Sequence, residues 1–233
     1  MTLGFLTGIP VSLFPDSPAV KMSSMTTQAR SYGGRSARER AEERRERLVE
    51  AAITVLAAQG ERATMTAICQ GAGLTERYFY ESFANRDAAL VAALDQVTDE
   101  IATDSIRVLQ ASSGTAEERL HEMTHAFAHW AVEHPDRALV AVVHASATSA
   151  LRDRRRELIR SVGDMAASEA EKLYGDRAWP PDRARLQGLV FVGGLAELVI
   201  LWLTGGTDLD ADGLADAAAD QFAQLLQRPA GQG

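Results

Sequence analysis

The chain has 233 residues, a formal charge of −8, 46% hydrophobic and 6% aromatic residues, and one cysteine. That length holds one small unit and one larger one, and a single cysteine excludes an intrachain disulfide and fits a reducing compartment such as the cytoplasm. An acidic total excludes a general coat for nucleic acid, so a nucleic-acid surface would have to be local: between Thr26 and Arg86, 10 arginines stand against 8 acidic residues, a net +2, and the rest of the chain carries −10.

In chain order, residues 1–34 contain Gly8, Pro10, Pro15 and Pro18 with several serines and are expected to be disordered. The apolar piece 3–14 is broken by Pro10 and has no positive charge before it, which argues against a secretory leader; Met22 or Met25 could serve as the start. Arg30, Arg35, Arg38, Arg40, Arg44, Arg45 and Arg47 then cluster. They read either as an arm following a DNA backbone or minor groove, or, with Glu39, Glu42, Glu43 and Glu46 interleaved, as a solvated helix start with i, i+4 ion pairs.

Leu48, Ala51, Ala52, Val55 and Leu56 follow helical spacing, and Gly60 ends the run. Thr64 is placed to cap a short helix with Ile68 and Ala72 inward, and Gly73 can take the left-handed conformation that stops it. Thr75 caps a second helix, whose Phe79 and Phe83 form a buried stripe. Glu76, Arg77, Tyr78, Tyr80 and Glu81 are left outside. Two helices about a glycine turn, with a third before them, make a helix-turn-helix of the kind that reads DNA. The competing reading is an ordinary helical hairpin with Arg77 and the tyrosines merely solvated, in a protein that binds no DNA. Cys69 reads as a small buried filler rather than a redox sensor.

The segment of Thr64, Ile68-Cys69, Ala72-Gly73-Leu74-Thr75, Tyr80-Glu81-Ser82-Phe83 and Arg86 resembles, in order and spacing, the DNA-binding domain of the tetracycline-repressor (TetR) family of bacterial transcription regulators. The resemblance covers about a fifth of the chain, from about Arg44 to Leu94. It departs in the second helix, where Arg77 and Tyr78 replace a glycine and a small hydroxyl residue, so the operator is not expected to be the commonest type. The resemblance implies that Thr64, Tyr80 and Arg86 hold phosphates, while Thr66, Glu76, Arg77 and Tyr78 approach base edges, with Thr75 at the cap beside them. Arg77 is the candidate for bidentate recognition of a guanine, or else a phosphate clamp.

Beyond Arg86 the pattern is helical throughout, over 86–109, 116–133, 136–146, 150–174, 182–203 and 211–227, which makes the chain all-α. The implied organisation is an extension over 1–34, a helix-turn-helix domain over 35–85 and a helical effector-binding and dimerisation domain over 86–228. Within 116–133, His121-Glu122-Met123-Thr124-His125 has the spacing of zinc metalloproteases, with two imidazoles on one helical face and Glu122 as a base. The extended motif is missing its third histidine, since Ala131 occupies that place, and no strand is present to align a peptide. A milder reading is a metal-sensing regulator using His121, His125 and His129, with His134 or His144 as further donors.

The run 188–204 is apolar apart from Glu197. It is shorter than a membrane span and carries a carboxylate near its middle, so a subunit interface explains it better. Gly193 and Gly194 would admit a close neighbour, and Leu214, Ala217, Ala218, Phe222 and Leu225 would complete a bundle with a second copy. The family implies such a homodimer, a palindromic double-stranded DNA operator and a small organic effector, with Phe127, Trp130, Met165, Phe191 and Trp202 as candidate lining residues. No cofactor and no catalysis are implied.

Overall fold

The computed structural model describes residues 36–226. The expectations for 1–34, for the alternative starts and for Arg30 and Arg35 lie outside the described residues, as does the end of the second domain beyond 226. Among the described residues there are nine α-helices and no strand: α1 (Ala37–Gln59), α2 (Met65–Ala72), α3 (Glu76–Ser82), α4 (Arg86–Ala111), α5 (Ala116–Glu133), α6 (Pro135–Ala138), α7 (Ser149–Tyr174), α8 (Pro181–Leu203) and α9 (Ala211–Leu226). The fold is all-α.

Helix α1 starts at a capping box, in which the Ser36 hydroxyl accepts from the Glu39 N–H and the Glu39 carboxylate accepts from the Ser36 N–H. Arg38, Arg40, Arg44, Arg45 and Arg47 therefore ride on a helix, not on a loose arm. Three of them brace the next two helices. Arg47 donates to the Ala72 carbonyl at the end of α2. Arg45 donates to the Ser82 carbonyl at the end of α3 and lies 4.3 Å from the Phe83 ring centroid. Arg44 stands 4.6 Å over the Tyr78 ring, with its guanidinium 3.7 Å from Glu81. Helix carbonyls left unpaired at a C-terminus attract such donors, and this use of arginine from a distant helix has no signature in local spacing.

The turn between α2 and α3 forms as the glycine requires. Gly73 has φ +61°, and its N–H and that of Leu74 return to the carbonyls of Gln70 and Cys69. Leu48, Ala52 and Leu56 of α1, Ile68 of α2, Phe79 of α3, and Leu90 and Leu94 of α4 are all buried in one apolar cluster. Each of the larger of these side chains contributes about 1.5–3 kcal/mol by leaving water. The cluster does not stop at the start of α4 but continues through Val97, Trp130, Val140 and Leu151, so the three-helix head and the helical body share a core.

In the body, α7 lies along α8, α5 along α9, and α4 packs on α5 and α7. A second cluster of Leu120, Tyr174, Phe191 and Phe222 fills the end away from the head. Where one helix was expected over 136–146, α6 instead gives way to a π-helical turn at Leu139–Val143 and a 3₁₀ turn at His144–Ser146. From this short segment, Arg137 donates to Glu50 of α1 at 2.8 Å and to Glu100 of α4 at 2.9 Å. His144 places Nε2 3.1 Å from the Ala57 carbonyl, and its ring sits 3.1 Å from where a side chain on Gly60 would begin.

Helix α8 begins seven residues before the apolar run, and by length and composition its 23 residues suffice to cross a membrane. The argument from shortness is thereby removed, since Pro181–Leu203 is longer than 188–204. The helix is nevertheless built into the bundle through Ala184, Gly188, Phe191 and Val199, which are buried. On its outer side Leu186, Val190, Gly194, Glu197 and Leu201 form an exposed stripe, and nothing stands within 4 Å of a side chain added at Gly193 or Gly194. Leu214, Ala218 and Phe222 of α9 are buried inside the chain, so they are spent on this subunit's own core and do not face a second copy.

Candidate nucleic-acid interface

Helix α3 has seven residues, too few to be stable alone. It is pinned from beneath by Phe79, which is fully buried and meets Phe83 at a centroid distance of 5.7 Å. The helical period then turns Glu76, Arg77 and Tyr80 outward. The Arg77 side chain is 84% exposed and, among the described residues, is tied by an ion pair of 3.2 Å with Glu81 one turn on. An exposed i, i+4 pair of this kind is worth only about 0.3–0.5 kcal/mol, so Arg77 can exchange it for a better acceptor. Tyr80 is 60% exposed, and Tyr78 is 36% exposed because Arg44 covers one face of its ring.

Thr64 and Thr66 are exposed on the same side of the head as the start of α2. The Thr64 hydroxyl accepts from the Ala67 N–H at 3.1 Å, the expected cap. Thr75 occupies the N-cap position of α3 but makes no side-chain cap bond. Its carbonyl accepts from the N–H groups of Tyr78 and Phe79 instead. The expectation that its hydroxyl caps α3 is corrected accordingly, and the exposed hydroxyl is left for another partner.

Arg86 is less free than its position suggests. Its guanidinium makes two bonds to Asp87, at 2.9 and 2.7 Å, and one to the Ala63 carbonyl at 3.3 Å. It thereby fastens the start of α4 to the turn before α2, and 38% of its side chain is exposed. Cys69 is buried, and burial, with Glu76 nearby adding to it, raises its thiol above the usual range. A protonated thiol in an apolar core is a filler, as expected.

Elsewhere, the candidate effector residues do not converge. Phe127 stacks on Trp130 at 6.2 Å, and both belong with Trp202 to the larger cluster, whereas Phe191 meets Phe222 at 4.0 Å in the smaller one. The side chain of Met165 lies outside the described residues.

His121, His125 and His129 do share a face of α5, and α9 sets Asp212 and Asp216 against it. Those two carboxylates, some 90 residues away in the chain, carry no sequence signal that links them to the histidines. Hydrogen bonds from His125 and His121 hold the Asp216 carboxyl below the usual carboxylate range. Glu122, the base of the hydrolase reading, is directed elsewhere and accepts a hydrogen bond from Ser112. His134 and His144 approach backbone carbonyls and stand apart from this face.

No family sequence model and no curated protein sequence matches the chain. Solved structures do. The fatty acid degradation regulator FadR of Bacillus halodurans superposes with a TM-score of 0.64 at 18% identity, over 79% of this chain and 97% of its own. FadR of Bacillus subtilis, solved with stearoyl-CoA, gives 0.63 at 16% identity over 78% and 99%. A TetR-family transcriptional regulator of Streptomyces coelicolor gives 0.62 at 19% identity over 79% and 80%. The chain therefore has the fold of the TetR-type regulators, a helix-turn-helix head on a larger helical body.

Proposed function

We propose that the protein is a TetR-family transcription regulator, a cytoplasmic homodimer that reads a palindromic DNA operator and is released from it by a small effector, with no catalytic role. The observation that carries this reading is the outer face of α3, where Glu76, Arg77, Tyr78 and Tyr80 stand exposed on a short helix fixed by Phe79. Such a helix fits the major groove, with Arg77 able to meet a guanine through two hydrogen bonds. Thr64, Tyr80 and Arg86 hold phosphates around it, Thr66 approaches base edges with Glu76, Arg77 and Tyr78, and Thr75 stands at the cap beside them. The functional division is a reading head over 35–85 and an effector and dimer body over 86–228.

The dimer reading rests on α8. Leu186 and Val190 are 61% and 60% exposed on a helix with an 18-residue stretch of mean hydropathy 2.0, and an apolar stripe of this kind is best explained by a second copy of the chain. Two heads related by that axis would read half-sites about one helical turn or somewhat more apart. An effector seated in the body acts by preferring one arrangement of α4 and the α6 segment over another, so effector and DNA must weaken one another reciprocally.

Selection of bound duplexes from a random pool, followed by titration of the selected and a scrambled duplex at two salt concentrations, tests the proposal. Sequence-selective binding that weakens with salt is expected. Equal affinity for both duplexes, or no saturable binding, overturns it.

A further inference from the structure

The five histidines of the chain divide sharply. Two approach backbone carbonyls, and three line one face of α5 opposite two aspartates of α9. Nε2 of His121 and Nε2 of His125 lie 2.7 and 2.8 Å from the same Oδ1 of Asp216, and 3.2 Å from each other. We propose that His121, His125 and Asp216 bind a divalent transition-metal ion of the zinc class, with Asp212 orienting His125.

The three ligand atoms form a triangle small enough for one ion to stand about 2.0–2.2 Å from each, just off their plane, after shifts of a few tenths of an ångström. The remaining coordination positions face solvent, since His121 and Asp216 are at least half exposed, so the ion has an entry path and keeps water ligands. Two imidazoles and one carboxylate suit zinc, nickel, cobalt or copper. Calcium and magnesium require mostly oxygen donors, which this triangle does not offer.

His125 carries the strongest geometric argument. Its second nitrogen, Nδ1, is 3.3 Å from Asp212 Oδ1. A proton held on Nδ1 by that carboxylate leaves the Nε2 lone pair aimed at the ion, the arrangement by which metal-bound histidines are commonly fixed. His129 Nε2, 3.0 Å from the same Asp212 oxygen, keeps that carboxylate in place. His121, Asp212 and Asp216, from two helices, thus converge on the His125 ring, and the Asp216 contact spans 91 residues of chain. The bound ion would fasten α9 to α5. With Glu122 turned to Ser112, the ion has no base at hand from that residue, and its role is binding.

The test uses the full chain without a histidine tag, stripped with chelator, exchanged into metal-free buffer and titrated calorimetrically with Zn²⁺ alone and Ni²⁺ alone. One ion per chain is expected, with a rise in melting temperature that chelator reverses. His125→Ala and Asp216→Ala should each abolish the saturable heat, Asp212→Asn should weaken binding about 10–100-fold, and His134→Gln should leave it unchanged. Because Asp216 and Asp212 are exposed, circular dichroism of these variants is expected to match the parent. His121→Gln supplies a second loss of a ligand should any of them not fold. Absence of saturable binding, or saturable binding that survives His125→Ala, overturns the proposal. DNA binding of the metal-free protein is measured separately, so a failed metal site and a failed regulator assignment are distinguishable.

Discussion

Arg77 and Arg86 differ in what holds them, and that difference separates their expected phenotypes. Among the described residues Arg77 is tied to Glu81 alone, so Arg77→Ala should change stability by a few tenths of a kcal/mol while removing about 1–3 kcal/mol of discrimination between the selected duplex and one altered at the contacted base pair. Arg86 also holds the Ala63 carbonyl. Arg86→Ala should weaken all DNA about equally and cost the fold on the order of 1 kcal/mol, read from urea melts beside the binding curves. The reverse pattern would exchange the two roles. Tyr174 offers a test of burial. Its hydroxyl is buried with no hydrogen-bond partner among the described residues, and burial, with Glu117 adding and Arg177 opposing, pushes its pKa from 10.0 up to about 12. The folded state therefore keeps a proton that the unfolded chain releases, so this contribution is whole below pH 10 and is lost as pH rises through about 12. Tyr174→Phe should be no less stable than the parent at neutral pH, since it removes an unpaired polar group, and the parent alone should lose this component of stability in the alkaline range.

At the scale of elements, the two threonine caps are not equivalent. The Thr64 hydroxyl accepts a backbone N–H and that of Thr75 does not. Thr64→Ala should cost about 1 kcal/mol of stability and Thr75→Ala close to none, by denaturant midpoints. An equal loss at both would refute the assignment of the caps. The helices themselves were legible in the sequence because their signals are local: Gly73 after Ala72, Phe79 and Phe83 four apart, and the apolar stripe of α1. What could not be read depends on residues far apart in the chain. Spacing placed Arg44, Arg45 and Arg47 together but did not reveal that they hold α2 and α3, and it brought out the histidine face without Asp212 and Asp216. Of the α9 stripe, Leu214, Ala218 and Phe222 are buried beneath α5 while Ala217 is exposed, and periodicity cannot tell burial inside a subunit from burial between two. The break at Leu139–Val143 was missed because an apolar run has no signal that distinguishes a π turn from an α turn.

For the whole molecule, the exposed side of α8 is the proposed contact between two copies. Leu186→Glu together with Val190→Glu places two carboxylates in the proposed contact, and sedimentation velocity should then report a monomer where the parent is a dimer. A parent that is monomeric at the same concentration would remove the dimer and, with it, the reason for a palindromic operator. The charge of the molecule agrees with the proposed role, since the net +2 of residues 26–86 contrasts with −10 elsewhere. An acidic body would repel DNA and favour an approach through the proposed outer face of α3.

The clasp made by Arg137 has a mechanical implication. One guanidinium, from a helix of four residues, grips Glu50 on α1 and Glu100 on α4, and His144 a turn and a half later touches α1 again. The clasp is thereby a second tie between head and body beside the apolar core they share. In the proposed regulator, a shift at this clasp would pass along α1 to Arg44 and Arg45, the residues that brace α3.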